Sequence, residues 1–101
     1  MKVLITGMGM ISSIGNNVEE NLQSLKNGEG SISSIEGLKN MRKSFLGGQV
    51  KITDQEFTEK LGIEKNENIH RSTLLGLTAA KEAWGNRTED PLIRTGIIYG
   101  N

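Results

Sequence analysis

The stretch "VLITGMGMISSIG", Val3 to Gly15, decides the fold. It opens with Val3, Leu4 and Ile5, a continuous apolar run of the kind that forms a strand buried on both faces of a parallel or mixed sheet. Glycines then stand at positions 7, 9 and 15. A glycine-rich turn after a first strand is the usual mark of a nucleotide site, so its spacing has to be tested against that chemistry.

The spacing fails that test twice. A dinucleotide loop reads Gly-x-Gly-x-x-Gly: one glycine for the turn, one for backbone approach to the pyrophosphate, one for close packing of the helix. Here Gly7-Met8-Gly9 is followed by Met10-Ile11-Ser12, and the third glycine is missing. The next helix also starts late, with Asn16 or Asn17 as its cap, whereas a phosphate needs the helix N-terminus at the loop itself. The first acidic residue after the second strand is Asp54, better explained as the first turn of a capped helix. Gly-Lys-Ser/Thr occurs nowhere, which excludes a P-loop.

Further along, Asn17-Val18-Glu19-Glu20 places an Asn cap three residues before a Glu. Val18, Leu22 and Leu25 share one helical face, and Lys26 with Gly28 supplies a stop. "EGSISSIEG" is small and polar, a surface connection without a domain boundary. "SFLGGQVKI", Ser44 to Ile52, is rich in β-formers but interrupted by Gly47-Gly48, which predicts a bulged or bent strand. Thr53-Asp54-Gln55-Glu56 is a full capping box for a short helix carrying Phe57 and Leu61 and ending at Gly62. From Ile69 to Trp84 runs the longest periodic segment, whose small residues Gly76, Ala79, Ala80 and Ala83 suit a helix packed closely on several sides. "RTGIIYG" then predicts a last buried strand with Ile97, Ile98 and Tyr99. A strand there normally feeds another element, so a chain whose last residue is Asn101 reads as a piece of something larger.

The composition narrows the function classes. Twelve basic and twelve acidic residues cancel, so no global field favours nucleic acid. With no cysteine, the 101 residues hold no disulfide, thiolate metal site or cysteine nucleophile, and the single His70 builds no multi-histidine metal site. No metal or cofactor is expected. No stretch approaches the roughly 18 apolar residues that span a bilayer, and Gly7 and Gly9 break the N-terminal apolar run before it could serve as a signal peptide; a cytoplasmic location follows by default. Asn86-Arg87-Thr88 matches a glycosylation acceptor, a triplet that arises often by chance.

Taken together, "VLITGMGMISSIGNNVEENLQSLKNGEGSI" resembles the opening of the β-ketoacyl-acyl carrier protein synthases, the condensing enzymes of fatty-acid and polyketide synthesis. Lys2 to Ile5, Thr6-Gly7-Met8-Gly9, Ser12 to Gly15 and Gly30-Ser31-Ile32 follow that family's pattern in order. "FLGGQVK" looks like its second strand, "RSTLLGLTAAKEAW" like its Ala-rich helix and "RTGIIYG" like the strand after it. Ser13 stands where relatives often have proline.

The resemblance implies an N-terminal fragment of a thiolase-like α-β-α-β-α layered fold, α/β in class, with a mixed sheet and packed helices. It covers residues 1–101 with no internal boundary. It also implies decarboxylative Claisen condensation by the parent, using a cysteine and two histidines that the family places later than this segment and that are therefore expected beyond Asn101. Gly7, Gly9 and Gly15 then serve as structural turns beneath that site, and His70 is a surface or first-turn residue matching neither catalytic histidine. The implied partners are an acyl carrier protein and a second copy in a homodimer or other self-association, with neither nucleic acid nor membrane. Some relatives receive the acidic carrier on a basic run before the Ala-rich helix. Here that run reads "EKNENIHR", so Lys65 and Arg71 are the docking candidates, offset by Glu64 and Glu67 in what is otherwise a solvated polar link. A non-catalytic chain-length-determining partner of the same fold, or a nucleotide-binding α/β domain, are the alternative readings.

Overall fold

A computed structural model describes residues 1–35, 45–64 and 68–100. In chain order they form α1 (Val18–Asn27), β1 (Ile32–Ser34), β2 (Leu46–Gly48), α2 (Asp54–Leu61) and α3 (Arg71–Trp84).

The helix ends follow local chemistry. At α1, the Asn17 side chain accepts from the Glu20 N–H at 2.8 Å, while Glu20 reaches back to the Asn16 N–H at 2.7 Å, one residue before the expected partner. At α2 the box is complete: Thr53 accepts from the Glu56 N–H, and Glu56 accepts from the Thr53 N–H at 2.7 Å. Both helices stop at a left-handed glycine, Gly28 (φ 67°) and Gly62 (φ 70°). At each stop the glycine and its successor bond back to the last turn, the paired pattern that satisfies open carbonyls. His70 takes the cap position of α3 in extended backbone, exposed and without a capping side-chain bond.

The sheet differs from expectation. β1 and β2 are antiparallel, with Ile32 opposite Gly48 and Ser34 opposite Leu46, so the polar stretch read as a surface connection contributes a strand. Of the expected strand over 44–52, the described residues 45–52 are regular only at Leu46–Gly48. Val3–Ile5 and Ile97–Tyr99 form no strand and lie open to solvent; Val3 is 88% and Ile97 91% exposed. A strand exists by the ladder it joins, and among the described residues nothing pairs with either segment. The radius of gyration, 16.6 Å, exceeds the ~13 Å of a packed domain of about 100 residues.

The core lies where α2 meets α3. Ile52, Phe57 and Leu74 are buried, with Ile11, Val50, Leu61, Ile63, Ile69 and Leu75 packed around them. Lys81 on α3 donates to the Lys60 carbonyl in the last turn of α2 at 2.8 Å, a cation placed on open carbonyls at a helix C-terminus. The face expected to bury α1 does not: Leu22 and Leu25 are exposed, and the buried residue of that helix is Asn21.

Candidate functional site

The glycine segment crosses α3. A Cβ on Gly7 would lie 3.1 Å from the Ala83 carbonyl carbon, and one on Gly9 would lie 2.7 Å from that of Ala79. Two glycines at alternate positions thus meet two alanines one helical turn apart, which is the close packing the small residues of α3 predict. Neither glycine has positive φ; their contribution is close approach to a helix rather than a left-handed turn. Arg87 extends the crossing by donating to the Thr6 carbonyl.

Gly15 does close a turn. The Ser12 and Gly15 backbones bond each other in both directions, at 2.9 and 3.4 Å. Asn21 fills the turn from α1: its Nδ2 donates to the Gly15 and Asn17 carbonyls at 3.0 and 2.7 Å, and its Oδ1 accepts from the Ser12 hydroxyl. Gly15 again has no room for a side chain, since a Cβ would lie 2.8 Å from the Glu20 carbonyl carbon. Ser24 adds a bond to the Ile14 carbonyl at 2.7 Å, and Ser31 donates to the Ser13 hydroxyl at 2.5 Å, joining the turn to the residue just before β1.

This arrangement answers the phosphate question. A phosphate at a glycine loop would use the free N–H groups where the following helix begins. Here the N–H groups of Asn16, Val18 and Glu20 already donate to the Glu20 carboxylate, the Glu82 carboxylate and the Asn17 amide. Two of those three acceptors carry negative charge, which repels a phosphate.

Of the two docking candidates, Lys65 lies outside the described residues. So does Asn101, beyond which the resemblance places the catalytic cysteine and the two histidines. Arg71, its side chain 38% exposed, is taken up by contacts within the protein. Its Nη2 donates to the Val50 and Ile52 carbonyls, both at 2.8 Å; its Nη1 meets Asp54 Oδ1 at 2.5 Å; and its guanidinium carbon sits 5.4 Å from the centre of the Phe57 ring. An open groove of about 670 Å³ lies beside it, lined by Ser31, Ser33, Ser34, Gln49, Lys51 and Thr53 among others. The groove presents hydroxyls, Lys51, Arg71 and the Asp54 carboxylate, one oxygen of which is held by Arg71. Among the described residues no group of three or more His, Asp or Glu side chains could hold a metal ion.

The residues that sequence reasoning missed are Asn21 and Glu82. Asn21 stands among other polar residues of α1, Glu19, Glu20, Gln23 and Ser24, which hid it; Glu82 bonds Met10 and Val18, 72 and 64 residues away, and left no signal.

Residues 1–100 match the family model of the β-ketoacyl synthase N-terminal domain. The chain belongs to that family. A β-ketoacyl synthase from Haemophilus influenzae, 3-oxoacyl-[acyl-carrier-protein] synthase 1, is 34% identical over 98% of the chain. The protein of the same name from Buchnera aphidicola (subsp. Acyrthosiphon pisum) is 35% identical over 99%, and 3-oxoacyl-[acyl-carrier-protein] synthase 2 of Vibrio harveyi is 29% identical over 99%. The chain spans 25% of the length of each of these synthases. No solved structure gives a significant match. For this β-ketoacyl synthase segment, the glycine crossing on α3 is where the motif that carried the resemblance meets the Ala-rich helix that carried it.

Proposed function

We propose that the chain is the N-terminal portion of a 3-oxoacyl-acyl carrier protein synthase, which elongates acyl chains by decarboxylative Claisen condensation with a malonyl-carrier thioester in fatty-acid or polyketide synthesis. The observation that carries this reading is the family match over residues 1–100, together with relatives bearing that synthase name over nearly the whole chain. In this chemistry a cysteine thiolate accepts the acyl group, two histidines assist loss of carbon dioxide, and the resulting carbanion attacks the acyl-enzyme. The 101 residues contain no cysteine and one histidine, so their part is scaffolding and they are inactive alone; the reacting groups belong to the parent beyond Asn101. The parent adopts the thiolase-like layered fold, and residues 1–101 are one part of its N-terminal domain.

Incubation of the intact protein with labelled acyl-carrier and malonyl-carrier tests the reading. It forms a 3-oxoacyl-carrier and passes through an acyl-cysteine; the 101-residue chain alone does neither. An intact protein with no acylated cysteine sinks the enzymatic reading and leaves the chain-length-determining partner.

The partners follow from the same reading. Arg71 is engaged on the protein side, so carrier docking is tested at Lys65: Lys65→Glu raises the carrier KM if the carrier docks there and leaves it unchanged if the segment is a solvated link. Exposed Val3–Ile5 and Ile97–Tyr99 recruit other apolar surface, in keeping with a homodimeric parent and with self-association of the isolated chain. A monomer by sedimentation at high concentration argues against the latter. No described helix is long and apolar enough to cross a membrane, and a cytoplasmic location belongs to the proposal.

A further inference from the structure

Among the described residues α2 packs on α3 and β1 on β2, while α1 has no packed partner among the elements. Its apolar Leu22 and Leu25 face solvent, so apolar burial is not what holds it. The loop before it is nonetheless tied to it at several points: Asn21 to Ser12 and Gly15, and Ser24 to Ile14. Residues 10–27 are therefore tied together locally, and Ile11, packed against the Ile52, Phe57 and Leu74 core, is their apolar contact with the rest.

Glu82, half-buried in the last turn of α3, adds a charged polar attachment. One carboxylate oxygen accepts from the Met10 N–H at 2.9 Å and the other from the Val18 N–H at 2.8 Å. Met10 directly follows the Gly9 crossing, and Val18 is the first residue of α1, so one side chain grips both ends of the loop. The Val18 N–H is one of the donors that a helix start leaves open, and a charged acceptor there gains from the helix dipole as well as from the bond. The neutral bond from Ser31, the residue before β1, to Ser13 is a second, weaker polar tie.

We infer that Glu82 is a latch: its carboxylate fastens residues 10–27 to α3 as one unit, and releasing it lets that unit open while α2 and α3 stay packed. The geometry allows the two bonds to be removed one at a time. Glu82→Gln keeps a single acceptor oxygen and turns an NH₂ toward the other donor. Val18→Pro deletes one donor at the helix position that suits proline, following an Asn17 whose extended backbone (ψ 174°) tolerates it.

Hydrogen exchange on the intact protein tests the latch. In Glu82→Ala, amides of residues 10–21 exchange ~10-fold faster or more, while those of α2 and the first turns of α3 hold their rates. Glu82→Gln and Val18→Pro fall between, and Val18→Pro adds little in the Glu82→Ala background because its bond is already gone. If Glu82→Ala unfolds the protein outright, the two milder variants decide on the same criterion. Unchanged exchange at residues 10–21, a rise shared equally with residues 54–84, or full additivity of the two substitutions overturns the inference.

Discussion

Gly9 lies against the Ala79 carbonyl of α3 so closely that a Cβ on Gly9 would stand 2.7 Å from the carbonyl carbon. The obstacle is helix backbone, which cannot rotate aside as a side chain would. Gly9→Ala is therefore expected to cost ~3 kcal/mol or more by forcing the crossing off α3. Ala79→Gly does not rescue it, because the clash is not with the alanine methyl. Gly30, with nothing within 4 Å of its Cβ position and no positive φ, is the control, and Gly30→Ala should stay within ~0.5 kcal/mol. Urea midpoints that fall equally in the two variants would show that the crossing is not tight.

Asn21 carries the second prediction. Its amide sits between two carbonyls and a hydroxyl, and the side chain is 2% exposed. Asn21→Leu leaves the Gly15 carbonyl without its side-chain donor, and Asn21→Asp points a carboxylate oxygen at two carbonyls. Each is expected to destabilise by ~2 kcal/mol or more, the aspartate at least as much as the leucine. Leu22→Ser, on an exposed neighbour, is expected to change little. Thermal unfolding in which the Leu22 variant loses more than the Asn21 variants would restore the amphipathic reading of α1.

Those two sites also mark how far the sequence could be read. Asn17, the Thr53–Glu56 box, Gly28 and Gly62 were legible because each interacts with residues within about a turn along the chain, where spacing and distance are the same thing. Phe57 and Leu74 were legible as apolar positions of α2 and α3. Val3–Ile5 reads as a strand by propensity, yet propensity does not supply a neighbour. Ile32–Ser34 reads as a polar link, yet a neighbour makes it a strand. The grips of Arg71 on Val50 and of Glu82 on Met10 join residues 21 and 72 apart, and no local pattern records them.

Arg71 yields a hierarchy of losses. Its forked Nη2 serves the Val50 and Ile52 carbonyls, whereas its Asp54 partner is an exposed carboxylate. Arg71→Ala abandons the carbonyls and the stacking on Phe57, and is expected to cost ~2 kcal/mol. Arg71→Lys is expected to recover only part of that, since an ammonium lacks the planar fork. Asp54→Asn removes an exposed pair worth ~0–1 kcal/mol. Chemical denaturation of the three variants checks the order, and an Asp54→Asn loss as large as that of Arg71→Ala would mean that the ion pair, not the carbonyl grip, matters.

Acid is expected to weaken the start of α2 through Glu56. Bonds from the Thr53 N–H and hydroxyl to its carboxylate hold its pKa below the ordinary 4.5 against the opposing effect of desolvation, with Lys60 contributing least. Because the folded-state value is the depressed one, the stabilisation is complete above 4.5 and fades as pH falls through the folded value. Glu56→Gln is therefore less stable than the parent chain at neutral pH, and the two converge in strong acid, where the glutamate is itself neutral. Every other residue is common to the two chains, so the pH dependence of the gap isolates this group. Thr53→Ala, which removes the cap from the other side, is expected to cost about 1 kcal/mol at neutral pH. A gap between parent and Glu56→Gln that stays constant from neutral pH into strong acid would show that the carboxylate charge contributes nothing to the cap.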